Sequence, residues 1–418
     1  MSDDVLVVGG GLAGYVAALS AKRSTPSASV RLLADGDRFD LETGLIDVLG
    51  YDADGDPVAD PIDAIGDLPA AHPYSRLGTD TVSEALAQFA DAVGDRYVGL
   101  DGPTNALFPT ATGGLTPALG YPESFAAGVA SADRPMRLFG FERVADFDAE
   151  LAAERLDDQL PYDVTGERVT TAMAVGDPPV AAGMAELLDG DRDRWDHLAE
   201  TLAAELDVEP RIGVPAVLGT EDAAEIRRFL SERLHAEVFE VPLGPPSVPG
   251  RRLESLLADV LADHDIAVER GVAATEIESR DGEVVSVTAR ETGVGGDEPT
   301  AYEASTFVLA TGGVSDGGLR ARGSEVTEPV FGCPVRVSDD DGLADREFLG
   351  DHPAIRAGVR TDDSLRPLDT GDGPAYGNLY AAGRVLNGPN VVAERSASGL
   401  SIVTGFAAGR RAVEQVLG

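Results

Sequence analysis

The residue pattern with the clearest chemical use in this 418-residue chain is Gly9-Gly10-Gly11-Leu12-Ala13-Gly14, directly after the apolar run Val5-Leu6-Val7-Val8. Gly9, Gly11 and Gly14 make the spacing G-x-G-x-x-G. Gly9 permits a tight turn, Gly11 lets backbone amides approach a phosphate, and Gly14 lets a helix pack closely on a strand. A helix opening at Leu12 and Ala13 points its N–H groups and the positive end of its dipole at that phosphate. Among 49 glycines the string alone is weak, because a glycine turn also serves structure. Its place between an apolar strand and a small-residue helix is what points to a nucleotide.

A dinucleotide site usually places Asp or Glu about 20 residues on, to bind the ribose of the adenosine half. Ala34 occupies that place here, with Asp35 one residue later. A one-residue slip along a strand turns a side chain to the other face. The adenosine half therefore lacks a clear anchor, and FMN is expected ahead of FAD, which stays the alternative. Asp35 before Gly36 also reads as a plain turn residue. Two later segments favour a flavin over a nicotinamide. Val308-Leu309-Ala310-Thr311-Gly312-Gly313 resembles the strand end at which flavoprotein oxidoreductases return to the nucleotide domain. Leu379-Tyr380-Ala381-Ala382-Gly383 resembles their last strand. Arg384 follows where many such proteins hold a carboxylate, and its guanidinium suits a phosphate.

These residues need a βαβ unit to position them. Val5–Val8 is the first strand, a helix runs to about Arg23 with Lys22 and Arg23 at its cation-favouring end, and Val30–Leu33 is the second strand. Residues 52–67, acidic and rich in Gly and Pro, read as a surface connection. The middle alternates on its own, with a strand at Met136–Phe139, helical patterns at Ala182–Leu206 and Ala223–Leu234, and a strand at Val238–Val241. A helix from Arg251 to His264 and an extended run at Ile266–Val268 come next. Strands at Thr275–Ser279 and Val284–Arg290 flank the hairpin signal Asp281-Gly282, and a last helix spans Ser398–Val416. The expected fold is α/β: a Rossmann-type, FAD/NAD(P)-binding-like flavin core over 1–118 and 247–418, with an inserted α/β substrate or partner domain at 119–246.

Further blocks make the resemblance specific. Ala71-His72-Pro73-Tyr74-Ser75-Arg76-Leu77-Gly78, Pro245-Pro246-Ser247-Val248-Pro249-Gly250-Arg251, Thr327-Glu328-Pro329-Val330-Phe331-Gly332 and Gly358 to Pro367 are similar to signatures of the B-type subunit of the anaerobic glycerol-3-phosphate dehydrogenase. Thr43-Gly44-Leu45-Ile46-Asp47-Val48-Leu49 resembles its loop after the second strand, which puts Gly44 near the flavin. The resemblance implies a complex in which FAD sits on a separate catalytic subunit that oxidises sn-glycerol 3-phosphate to dihydroxyacetone phosphate. The B-type subunit is associated with FMN, and an iron–sulfur subunit that anchors the assembly to the membrane passes electrons to quinone. One departure is Glu394-Arg395-Ser396-Ala397-Ser398-Gly399, where the family pattern would have a glycine-rich turn. The implied cofactor contacts are Gly9, Gly11, Leu12, Ala13, Gly14, Ala34, Asp35, Gly44, Thr311, Gly312, Gly313, Gly383 and Arg384. Catalytic candidates are thinner. His72 could move a proton, and Arg251 and Arg366 could hold an anion, but a capping His and surface-balancing arginines fit the same positions.

Composition limits partners. Acidic residues number 73 against 32 arginines and one lysine, Lys22, for a net charge of -40. Nucleic acid and anionic lipid would be repelled. At ~1 M salt the Debye length is about 3 Å, so such a surface suits a high-salt cytoplasm. The single Cys333 cannot hold a cluster that needs about four thiolates, so any cluster belongs to a partner. No metal site, signal peptide or apolar stretch of about 18 residues is apparent. The chain is expected to be cytoplasmic, without direct membrane insertion, and peripheral at the inner face of the cell membrane through a partner subunit. Two other readings stay open: a stand-alone flavin oxidoreductase of a small substrate, and a structural subunit that has lost its flavin.

Overall fold

In the computed structural model, which describes residues 2–36, 39, 42–171, 173, 180–206, 211–293, 299–323, 325–337, 343–344 and 352–417, the N-terminal apolar run forms β1 (Asp3–Val8). Val5, Leu6 and Val7 are fully buried. Both faces of β1 are covered, which is why it reads as a continuous apolar run rather than an alternating one. α1 (Leu12–Ser24) crosses over to β2 (Val30–Ala34), which pairs with β1 in parallel. On its other side β1 pairs in parallel with Thr300–Leu309. That arrangement is the Rossmann-type unit, and it opens a crevice at the carboxyl end of β1, where the chain turns to opposite sides.

The main sheet has seven strands, in the order Ala267–Arg270, β2, β1, Thr300–Leu309, Glu283–Glu291, Val272–Arg280, with Leu379–Ala381 also alongside Thr300–Leu309. The ten-residue strand Thr300–Leu309 joins two systems. Its first half pairs antiparallel with Glu283–Glu291, and its second half lies in the parallel layer between β1 and Leu379–Ala381. The hairpin turn falls at Asp281 and Gly282, whose φ values are 54° and 82°.

The last helix, Ala397–Leu417, lies along α1. A Cβ on Gly405 would come within 2.5 Å of the Ala13 carbonyl oxygen, and one on Gly409 within 2.0 Å of that of Ala17. Small residues on both helices thus bring two backbones together over the sheet.

A second, four-stranded parallel sheet runs Glu237–Val241, Arg211–Pro215, Met136–Phe141, Val164–Val169. It has its own apolar core, including Leu138, Phe139, Trp195, Ile212 and Phe239. Here one expectation fails. The single helical pattern over 182–206 is two helices, Ala181–Leu188 and Arg192–Ala203. Gly190 turns left-handed between them at φ 68°, and the Asp191 carboxylate accepts from the Arg194 N–H at 3.2 Å. Asp189 accepts from the Thr220, Glu221 and Asp222 N–H groups, which ties the break to the next loop. Among the described residues no helix is long and apolar enough to cross a membrane.

Candidate functional site

The glycines after β1 differ in what they touch. A Cβ on Gly9, whose φ is 129°, would sit 2.1 Å from the Ala310 carbonyl oxygen, and one on Gly14 would sit 1.9 Å from that of Gly9. Both positions are closed by packing. A Cβ on Gly11 would meet no protein atom within 4 Å. Gly11 is also the residue before α1, and no side chain caps that helix or places an acid in its first turn. The open approach and the uncapped N–H groups make a cradle for an anion.

The cradle opens into a cleft of about 130 Å³ lined by Gly9 to Ala13, Leu33, Asp35, Val272 to Ala274, Thr311, Gly312, Asp316 and Arg384. Among the described residues the buried Thr311 hydroxyl has no hydrogen-bond partner. An orphaned hydroxyl and an unfilled approach over Gly11 on one cleft fit a nucleotide cofactor.

Of the residues expected at a cofactor, Gly9, Gly11, Leu12, Ala13, Asp35, Thr311, Gly312 and Arg384 line this cleft, and Gly14, Ala34, Gly44, Gly313 and Gly383 do not. Each of these five has another contact. Ala34 packs under Gly10, where a Cβ would come within 2.5 Å of its own. Gly44 lies against Pro249, and Gly383 lies against Ala13. Gly313 donates its N–H to Asp316 at 2.8 Å. The strand ends at Ala34, so the pleat no longer dictates the direction of Asp35, and the one-residue slip does not remove it from the cleft.

Arg384 also departs from expectation. It is not an open cation for a phosphate, because its Nη2 lies 3.3 Å from Glu42 and 2.9 Å from Asp316. Two carboxylates outweigh one guanidinium there. Burial pushes the Glu42 carboxyl above the usual carboxylate range, Arg384 opposes that, and Asp47 and Asp316 add to it. The expectation of FMN over FAD stood on Ala34 and Arg384; Asp35, next to Ala34, lines the cleft, and Arg384 is ion-paired with Glu42 and Asp316.

A side cavity of about 190 Å³ shares Glu42 and Arg384 with the cleft and adds Asp47, Ser315, Val391 and Arg395. Asp47 is raised by burial, against hydrogen bonds from Ser398 and the charge of Arg395. Carboxyls raised in this way can hold or release a proton beside a bound group. The sequence reading missed Glu42, Asp316 and the Val272–Ala274 wall. Glu42 had one visible signal, its place immediately before the loop Thr43–Leu49.

His72, Arg251 and Arg366 line neither cavity. His72 Nδ1 accepts from the Tyr74 N–H at 3.1 Å, capping the short helix Pro73–Leu77, and Nε2 lies 3.4 Å from Glu394. Arg366 pairs with Asp362 at 2.8 Å, and Arg251 lies 3.7 Å from Glu186. Cys333 is buried, and burial raises its thiol well above the ordinary value. Among the described residues no group of three His, Cys, Asp or Glu is placed to hold a metal ion.

A family described as FAD binding domain matches residues 4–400. The chain is 42% identical over 432 aligned positions to the probable B-type subunit of the anaerobic glycerol-3-phosphate dehydrogenase of Halobacterium salinarum, covering 100% of this chain and 99% of that one. It is 28% identical over 439 positions to the corresponding B-type subunit of the anaerobic glycerol-3-phosphate dehydrogenase of Pectobacterium atrosepticum, with 100% and 99% covered. Among solved structures, the open conformation of a flavocytochrome c3 fumarate reductase is similar with a TM-score of 0.47 and 12% identity, covering 100% of this chain and 79% of that one.

Proposed function

We propose, from the premise that the chain belongs to the family of B-type subunits of the anaerobic glycerol-3-phosphate dehydrogenase, which are flavin-binding oxidoreductases, that it carries electrons through a bound FAD within a larger dehydrogenase complex. The observation that carries the reading is the cleft: an open approach over Gly11, an uncapped helix start and an orphaned Thr311 hydroxyl. FAD is favoured over FMN because Asp35 and the wall Val272–Ala274 extend the cleft past the phosphate cradle, and a carboxylate suits a ribose hydroxyl. Gly9 to Ala13 would hold the diphosphate, while Thr311 and Gly312 would face the remainder. The bound group would supply the redox chemistry.

In this proposal the complex oxidises sn-glycerol 3-phosphate to dihydroxyacetone phosphate. A separate catalytic, FAD-bearing partner starts the reaction, and an iron–sulfur partner that anchors the complex carries electrons to quinone at the inner face of the membrane. The segment 119–246 serves as an inserted domain for a substrate or partner. The side cavity with Glu42, Asp47 and Arg395 favours one rival, a subunit with its own small substrate. Reconstitution with both partners, omitting one component at a time, separates the two. Loss of quinone reduction on omitting this chain, with negligible dye-linked oxidation by the chain alone, is the expected result. Full dye-linked activity by the isolated chain would establish the rival, and unchanged quinone reduction without it would remove it from the electron path.

A further inference from the structure

Building on the flavin assignment, we infer that Glu42 is the proton-exchange residue of this site, passing a proton between a group bound in the cleft and water in the side cavity. Among the described residues, Asp35 and Asp316 line the cleft alone and Asp47 lines the side cavity alone, whereas Glu42 lines both. Its side chain is only 14% exposed. A carboxyl that joins two spaces can take a proton from one and give it to the other.

The three carboxyls around Arg384 and the side cavity are held differently. Asp316 lies 2.9 Å from the Arg384 guanidinium and accepts from the Gly313 N–H at 2.8 Å. Asp47 accepts from the Ser398 N–H at 2.9 Å and from the Ser398 hydroxyl, at the start of the last helix. Glu42 accepts from Arg384 at 3.3 Å, long beside the roughly 2.7–2.9 Å of a strong charge-assisted bond. Protonating Glu42 therefore breaks the longest of these contacts and leaves Arg384 its pair with Asp316. The charged and titratable groups that act on Glu42 are Arg384 from the turn after Leu379–Ala381, Asp316 from the turn after Thr300–Leu309, Asp47 from its own loop and the phenol of Tyr97. Burial raises the Glu42 carboxyl, Arg384 opposes this, and Asp47 and Asp316 add to it. Burial also keeps the Tyr97 phenol protonated.

The side cavity supplies the route to solvent. Its volume of about 190 Å³ admits several waters, and its lining includes Val392, which is 60% exposed. Asp47 and Arg395 give those waters polar partners. As electrons enter the bound group from the catalytic partner, the Glu42 O–H bond breaks and its proton passes to that group. Water in the side cavity then returns a proton to the carboxylate. As electrons leave, the proton runs back by the same path, and Glu42 itself is neither oxidised nor reduced.

The test is rapid-mixing reduction of the flavin-loaded chain by dithionite in high-salt buffer, followed by loss of the flavin's visible absorbance across a range of pH. The wild-type rate should fall as pH rises through the Glu42 pKa, because the protonated carboxyl is the donor. Below that pKa Glu42→Gln should be slower by about tenfold or more, and it should lose the pH step. Glu42→Asp should keep a pH step, and Glu42→Ala should recover part of its rate when acetate replaces chloride at constant ionic strength. Because Asp316 stays on Arg384, Glu42→Gln should unfold at a thermal midpoint near that of wild type. A flavin-loaded Glu42→Gln chain with the wild-type rate and pH profile would overturn the assignment, as would a slow Glu42→Ala chain that acetate does not rescue. The two readings fail separately: a chain that carries no flavin removes the cofactor and the exchange together, whereas a loaded variant that behaves as wild type removes the exchange alone.

Discussion

Gly9 and Gly11 stand two residues apart and do different work, and substitution separates them. Gly9→Ala forces a Cβ to 2.1 Å from a carbonyl oxygen at φ 129°; strain and overpacking together should cost on the order of 3 kcal/mol. Gly11→Ala has open space and an ordinary φ of -89°. It should lower stability by less than about 1 kcal/mol yet reduce flavin affinity by about tenfold or more. Thermal unfolding of the flavin-free chains and flavin titration read the two effects apart, and equal loss of affinity and stability in Gly11→Ala would refute the cradle. Glu394 gives a pH prediction. Burial would raise its carboxyl, but the hydrogen bond and charge of His72, the Asn390 N–H and the Ser396 hydroxyl outweigh it and hold it below the usual range. A depressed carboxylate contributes stability that is full above its unfolded pKa of about 4.3 and disappears as pH falls through the lower folded value. The gap in thermal midpoint between wild type and Glu394→Gln should be widest near neutrality and close below about pH 4. Glu42 and Asp47, raised by burial, act with the opposite sign in both proteins and so cancel in the difference.

At the scale of elements, the pairing of α1 with the last helix holds the cradle in place. Gly409→Ala would gain about 1 kcal/mol of helix propensity, but its Cβ would meet the Ala17 carbonyl oxygen at 2.0 Å. Because the neighbour is backbone, overpacking of roughly 1–3 kcal/mol should win. Calorimetric unfolding should show a net destabilisation, and a stabilised variant would mean that the helices can separate freely. Elements with a strong local signal were legible in the sequence. The helix Ala223–Leu234 has the expected ends, and β1 and the Asp281-Gly282 hairpin fall where apolar runs and turn chemistry put them. The helix starting at Val248 begins three residues ahead of expectation because Ser247 caps the Gly250 N–H at 3.0 Å. The strands Val164–Val169 and Arg211–Pro215 were not legible. The first alternates little, and the second contains glycine and proline; pairing across the sheet overrides both weak local preferences. The triad of Glu42, Asp316 and Arg384 was hidden for a different reason, because tertiary folding joins residues far apart in sequence.

For the whole molecule, charge and cofactor set the behaviour. A net charge of -40 is screened at ~1 M salt, where the Debye length is about 3 Å, and repels strongly in dilute buffer. The thermal midpoint should therefore rise between dilute buffer and ~2 M KCl, and equal midpoints would contradict a fold adapted to high salt. The two sheets have separate cores. Everything else depends on the cleft being filled. Acid release of the bound cofactor from purified protein, followed by chromatography and quantification against chain concentration, tests this most directly. One FAD per chain is expected; stoichiometric FMN would contradict the dinucleotide assignment, and no flavin even after reconstitution would contradict the cleft as a flavin site.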